Sequence, residues 1–229
     1  AEGLSQSVHR YGEHSKGTLI HDNVTDVLIV GNLYASNMDR NPYMKGGSSG
    51  VIVNNYISNP GKAAIRYMLS WKEWLFKEQQ TGKWSIVGNV MELGDDSEDI
   101  ALLDIKAGPA EIFVDDNIAF RKDGGKARVV SGDQSKIVNN KPIWFSDISV
   151  VAVNRVKEHV LSNVGARPWD RDEHDKRIIS SARGGKGKII NSELEVGGYP
   201  EQASTRSSFH IQEWDVSNAD EIKRKVGSN

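Results

Sequence analysis

Short apolar runs that each end on a small or polar corner dominate the first half of the chain. Val27-Leu28-Ile29-Val30 runs into Gly31-Asn32-Leu33, Gly50-Val51-Ile52-Val53 into Asn54-Asn55-Tyr56, and Trp84-Ser85-Ile86-Val87 into Gly88-Asn89-Val90. A looser fourth copy runs from Glu111 through Val114 to Asp115-Asp116-Asn117-Ile118. Aligned on Asn32, Asn55, Asn89 and Asn117, the copies lie 23, 34 and 28 residues apart. None has helical periodicity, and apolar residues occupy consecutive positions, as expected of strands covered on both faces. An Asn at the same corner tolerates left-handed backbone and bonds its own main chain, which suits stacked turns. Repeats of about 20 to 50 residues whose strands cannot bury themselves alone signal a solenoid. The pattern therefore predicts an all-β parallel β-helix; the competing reading, an antiparallel sandwich, calls for cleaner in-and-out alternation.

The longer intervals imply loops protruding from the coils. The clearest candidate spans Lys72 to Lys83, flanked by Trp71, Trp74, Phe76 and Trp84. These tryptophans could stack sugars or simply pack the loop on the core. Beyond residue 148 the period changes. Val150, Val153, Val156, Val160, Leu161 and Val164 recur at helical spacing before Gly165, predicting a helix over Ser149 to Asn163. Asp170 with Glu173 has capping-box spacing and predicts a second helix reaching Arg183. The expected organisation is coils over 1–148 with a loop near 70–84, a helical extension packed on them over 149–200, and a polar tail over 201–229.

Composition narrows the function classes. Among 229 residues, 29 Lys+Arg balance 31 Asp+Glu, so the basic excess of a nucleic-acid binder is missing. No run of about 18 apolar residues appears, so no membrane span is expected. The opening Ala1-Glu2-Gly3-Leu4 lacks the basic and apolar regions of a signal peptide. With no cysteine, disulfides, thiolate metal sites and a Cys nucleophile are excluded, while the compartment stays open.

The polar residues concentrate between His9 and Gly47. His9 and His14 do not have the spacing of a helical zinc motif, and Gly12 stands between them. In Arg40-Asn41-Pro42-Tyr43-Met44-Lys45-Gly46-Gly47, Pro42 fixes the backbone and disposes Asn41 to extended geometry. Arg40 and Lys45 are then presented from the ends of a stiff segment, an arrangement suited to an anionic ligand. The plainer alternative pairs Arg40 with Asp39 and leaves Lys45 in solvent. Lys16 lies about one coil before Arg40, so the two could stack on one face as a basic ladder.

These segments resemble a known family. His14-Ser15-Lys16-Gly17-Thr18-Leu19-Ile20-His21-Asp22, Ile29 to Tyr34, Asp39 to Gly47, and Val53 to Tyr56 are similar to the catalytic core of pectate lyases, right-handed parallel β-helix enzymes of the first polysaccharide lyase family. Gly165 to Asp172 and Gly187 to Pro200 resemble the C-terminal segment of bacterial members. The resemblance implies a secreted or periplasmic, calcium-assisted lyase cleaving pectate by β-elimination, with alginate or another uronate polymer as an alternative substrate. It implies that Arg40 acts at the C5 proton as the catalytic residue, and that Lys16, Lys45 and His14 bind substrate. Cations aimed at the uronate carboxylate stabilise the charge that builds there as the proton leaves. An arginine base also needs like charges nearby, a role open to Lys16 and Lys45.

The family's calcium ligands lie upstream of the H-x-K segment, where this chain offers only Glu2 and Glu13. The expectation is a C-terminal part of a longer lyase, completed by an upstream segment or chain; the alternative is a different metal arrangement that uses Glu13, Asp22 or Asp26. Lys45 stands where arginine is more usual, a point charge in place of a bidentate fork. A non-catalytic carbohydrate-binding module on the same scaffold is the rival from another class.

Overall fold

The computed structural model describes residues 4, 5, 7–10, 12 and 14–198; the expected polar tail over 201–229 lies outside them. Successive coils each lay down three short strands. The first coil holds β1 (Leu19–Ile20), β2 (Val27–Val30) and β3 (Leu33–Ala35), and the second β4 (Tyr43–Lys45), β5 (Ser49–Val53) and β6 (Tyr56–Ser58). The third holds β7 (Ile65–Met68), β8 (Gly82–Val87) and β9 (Val90–Glu92), and the fourth β10 (Leu103–Ile105), β11 (Ala110–Asp115) and β12 (Ile118–Phe120). β13 (Val130–Gly132) follows. Equivalent strands pair in parallel as three sheets, β1-β4-β7-β10-β13, β2-β5-β8-β11 and β3-β6-β9-β12. Short parallel strands stacked in register in three sheets are consistent with a parallel β-helix.

Register makes the core. Ile20, Met44, Tyr67 and Ile105 form one inward row, Ile29, Ile52, Ile86 and Val114 a second, and Tyr34, Ile57, Met91 and Ala119 a third. Eleven of them belong to one buried apolar cluster, and Val114, partly buried, packs against it. Like side chains on successive coils thus fill the solenoid interior.

The repeated asparagines form a ladder at the corner between the second and third sheets, buried at its middle rungs Asn55 and Asn89. Asn32, Asn55 and Asn89 each donate their backbone N–H to the side-chain oxygen of the next, at 2.9, 3.0 and 2.9 Å, ending on Asn117. The residue before each rung, Gly31, Asn54, Gly88 or Asp116, has a left-handed backbone, φ 66, 53, 63 and 48°. Such a turn favours Gly, Asn and Asp, which is why only those types precede the ladder.

The apolar strands are covered on their outer faces as well. Val51, Val53 and Val87 pack under Ile143, Trp144, Phe145 and Ile148. Tyr56 and Val90 pack under two helices, α1 (Val153–Asn163) and α2 (Glu173–Arg183). α1 starts four residues later than its apolar spacing suggests, because Val151 is tied to Asn54 through both its N–H (2.7 Å) and its carbonyl (2.9 Å). Its last carbonyls are held by Arg171, which donates to Leu161, Ser162 and Val164. The cap of α2 is Asp172, accepting from Asp175 N–H at 2.8 Å, whereas Asp170 pairs with Arg167 instead of opening the helix. No helix among the described residues is long and apolar enough to cross a membrane.

Candidate functional site

The outer face of the β1-β4-β7-β10 sheet carries the charged residues. β4 is preceded by a segment fixed by amide side chains. Asn41 is buried; its side chain donates to Ala63 O at 2.9 Å and accepts from Asn37 at 3.0 Å, while its N–H reaches Ala64 O. The Asn41–Pro42 peptide is cis. Arg40, anchored by this arrangement, has φ 65°, a conformation an arginine adopts only when its surroundings impose it. Its backbone N–H donates to the Asp39 carboxylate at 2.7 Å, and its side-chain Nε is buried without a hydrogen-bond acceptor.

Lys16 bridges in parallel to Asp39, so Arg40 falls one position beyond the expected stack, its carbonyl accepting from Thr18 N–H. The basic ladder is therefore offset: Lys16 and Arg40 are near neighbours on adjacent coils and do not lie rung over rung. No ion pair joins either side chain to a carboxylate among the described residues. His14 is exposed, its ring 4.2 Å from that of His9 between centroids. Partial desolvation and the nearby charges of His14, Arg10 and Lys16 hold the His9 imidazole below its ordinary pKa.

Lys45 is not in solvent. Only 5% exposed, it sits at the end of β4 under the loop that follows β7. Its ammonium donates to Asp22 at 2.8 Å and to Glu73, with His21 Nε2 at 3.5 Å. Asp22 also accepts from the Trp74 indole at 2.6 Å, which pins the loop to the first coil. Burial by itself raises the Asp22 pKa, but hydrogen bonds from Lys45 and Trp74 outweigh it and the net shift is downward. Burial likewise lowers that of Lys45, and the bonds to Asp22 and Glu73 reverse it. Both groups are therefore charged at neutral pH. With two carboxylates on it, Lys45 does not supply the uncompensated positive charge expected beside Arg40.

Arg66 on β7 pairs with Asp104 at 3.2 Å and approaches Asp39 at 3.8 Å. It opens into a cleft of about 310 Å³ shared with Asp104, Lys106, Arg128 and Ser131. Sequence reasoning missed Arg66, Asp104 and Glu73, which carry no local motif: Arg66 and Asp104 reach the site through coil stacking, Glu73 through the loop after β7. Of the three tryptophans considered for sugar stacking, Trp84 is fully buried, Trp74 is 5% exposed, and Trp71 at 63% remains open.

The described residues do not by themselves assemble a calcium site. No three His, Asp or Glu side chains converge among the described residues. In the alternative set, Asp22 faces an ammonium and an indole N–H, Asp26 is exposed, and Glu13 lies outside the described residues. The arrangement can bind an acceptor-rich, anionic or hydroxylated ligand along the sheet face. No family model and no curated protein matches the chain.

Proposed function

We propose that the chain carries the proton-abstraction face of a polyuronate lyase on the right-handed parallel β-helix of pectate lyases, with pectate as substrate. The observation that carries this reading is Arg40, with its left-handed backbone and a buried Nε–H that has no acceptor, next to Lys16 on the adjoining coil. A buried donor left without a partner is uncommon in a folded protein, and a uronate oxygen would satisfy it. In the reaction the C5–H bond breaks toward the Arg40 guanidine as the C4–O4 bond breaks. A C4–C5 double bond forms, and the released O4 takes up a proton. Lys16 lies where it can offset charge accumulating on the adjacent carboxylate, and exposed His14 contributes to the same end of the groove. A polymeric substrate implies work outside the cytoplasm.

The neutralised state of Lys45 favours a second reading, a non-catalytic module that binds acidic polysaccharide. Turnover separates the two. Ultraviolet absorbance of the unsaturated product is followed on polygalacturonate and on alginate, with calcium and with chelator, alongside binding. The lyase reading expects product from the wild type, near-complete loss in Arg40→Ala, and retained polymer affinity. Binding without product on either polymer favours the module and refutes the lyase.

A further inference from the structure

The helical extension does more than cover the third sheet, because the end of α2 closes a groove against it. The last turn of α2 is seated by Tyr56, whose hydroxyl lies 3.0 Å from Ala182 O and 2.7 Å from a carboxylate oxygen of Glu92. Beyond the helix the chain is held again: Gly187 O accepts from the Asn59 amide at 3.1 Å, and Ile189 N–H donates to Asp96 at 2.7 Å. Gly184-Gly185-Lys186 is therefore a fixed rim. The other wall is the tight turn after β12, in which Arg121 N–H donates to Gly125 O at 2.7 Å and Gly124 N–H to Arg121 O at 2.9 Å. Both Gly124 and Gly185 have left-handed backbone and face open space. Two adjoining cavities of about 410 and 370 Å³ lie here, sharing Glu92, Lys122, Gly184 and Gly185. Each is of a size that holds a small ligand or a stretch of a longer one. Neither shares a lining residue with the cleft beside Arg66, and neither is lined by Lys16 or Arg40.

The polar groups of this groove are of two kinds. Glu92 is held by Lys157, which donates to both of its oxygens at 2.8 and 2.7 Å, and it still has lone pairs to offer. Lys122 pairs with Asp95, and Arg183 with Glu158, as solvent-exposed ion pairs that hold weakly and exchange readily for a ligand. Each cavity also has a cation whose side chain makes no ion pair or hydrogen bond among the described residues, Arg121 in the first and Lys186 in the second. A site for a bare phosphate would present donors alone. Carboxylate acceptors set among cations suit a ligand that carries both carboxylates and hydroxyls.

We infer that this groove is a second binding site for an acidic polysaccharide, its carboxylates met by Arg121 and Lys186 and its hydroxyls by Glu92 and Asp95. The identity of the polymer rests on the polyuronate reading; the groove does not. A chain held here as well as on the sheet face near Arg40 gains affinity through the link between the two sites, with no change at either.

Binding of polygalacturonate is measured by calorimetry in Arg40→Ala, which on the lyase reading leaves the polymer uncut, and in Arg40→Ala/Arg121→Gln/Lys186→Gln. Both added substitutions are at exposed positions, so an unchanged melting temperature is expected. Amide spectra of the full chain titrated with oligogalacturonate locate the site through Gly124, Gly184 and Gly185. The expected result is movement of those three amides and affinity about tenfold weaker in the triple variant, the scale of one charge-assisted hydrogen bond. Unmoved glycine amides or an unchanged affinity overturn the inference. Equal binding of dextran sulfate, weakened equally by the substitutions, also overturns it, because the groove would then be a general polyanion surface. Ultraviolet absorbance of wild-type product reads the lyase separately. Glycine shifts without product support the second site and refute the lyase chemistry, and product without glycine shifts does the reverse.

Discussion

Replacing Asn55 with alanine removes the most enclosed rung of the asparagine ladder. Asn55 is fully buried. Its side-chain oxygen accepts from the backbone and side chain of Asn32 at 2.9 and 3.0 Å. Its amide donates to Ile29 O, Val53 O and the Asn89 side chain at 3.0, 3.1 and 2.9 Å. Alanine forfeits all of these and strands the Asn32 N–H. A net hydrogen bond contributes about 1 kcal/mol, and an orphaned donor costs about 1–3 kcal/mol when buried, toward the lower end for the part-buried Asn32 N–H. Because the five contacts share one amide and several acceptors retain other partners, the expected loss is about 3–5 kcal/mol, at the upper end for single substitutions. Asn32→Ala is the control. Its side chain only donates, to Val30 O and Asn55, at a partly exposed edge, so about 0.5–1 kcal/mol is expected. Urea unfolding followed by far-ultraviolet circular dichroism gives both values, and amide exchange at Asn32 reports the orphaned donor. Equal losses from the two substitutions would show that the ladder is incidental to stability.

Acid should weaken the loop anchor. Because the folded-state pKa of Asp22 lies below its unfolded value, its contribution is complete above pH 3.8 and fades as pH falls through the folded value. Lys45, raised in the fold, keeps its contribution below pH 10.5 and loses it above. Urea midpoints should thus be flat in this pair between those limits, and Asp22→Asn should flatten the acid limb while lowering the plateau; an unchanged acid slope refutes the assignment. Gly50→Ala should destabilise by about 2–4 kcal/mol, since a methyl group there would stand 2.2 Å from Val27 O and 2.9 Å from the Trp84 ring. A loss below about 1 kcal/mol by the same assay would mean the coils separate readily.

What the sequence disclosed was whatever repeats locally. Gly-Asn, Asn-Asn and Asp-Asn corners announced the stacked turns because the left-handed residue and the ladder residue are adjacent in the chain. Consecutive apolar positions in Val51-Ile52-Val53 announced cover on both faces, and the structure provides it from the segment at 143–148. The capping error at Asp170 arose because Asp172, with Asp175 three residues on, offers the same spacing and lies against the helix start. Relations between coils were less legible. The offset of Lys16 from Arg40 depends on the left-handed kink at Arg40, which changes register locally. The enclosure of Lys45 depends on Glu73, 28 residues away, and on Asp22 in the coil before, and no periodicity marks either.

The ladder also separates what must stay constant from what is free to vary. Its rungs keep one spacing in space while the intervals between them run 23, 34 and 28 residues. Part of the longest interval is the loop between β7 and β8, which delivers Glu73 and Trp74 onto residues from two other coils. Lengthening one turn of the spiral therefore rewrites the chemistry of another without touching the strands of either. A scaffold built this way can acquire a new ligand preference by a single insertion, with the stacked corner serving as the fixed rail along which such insertions are placed.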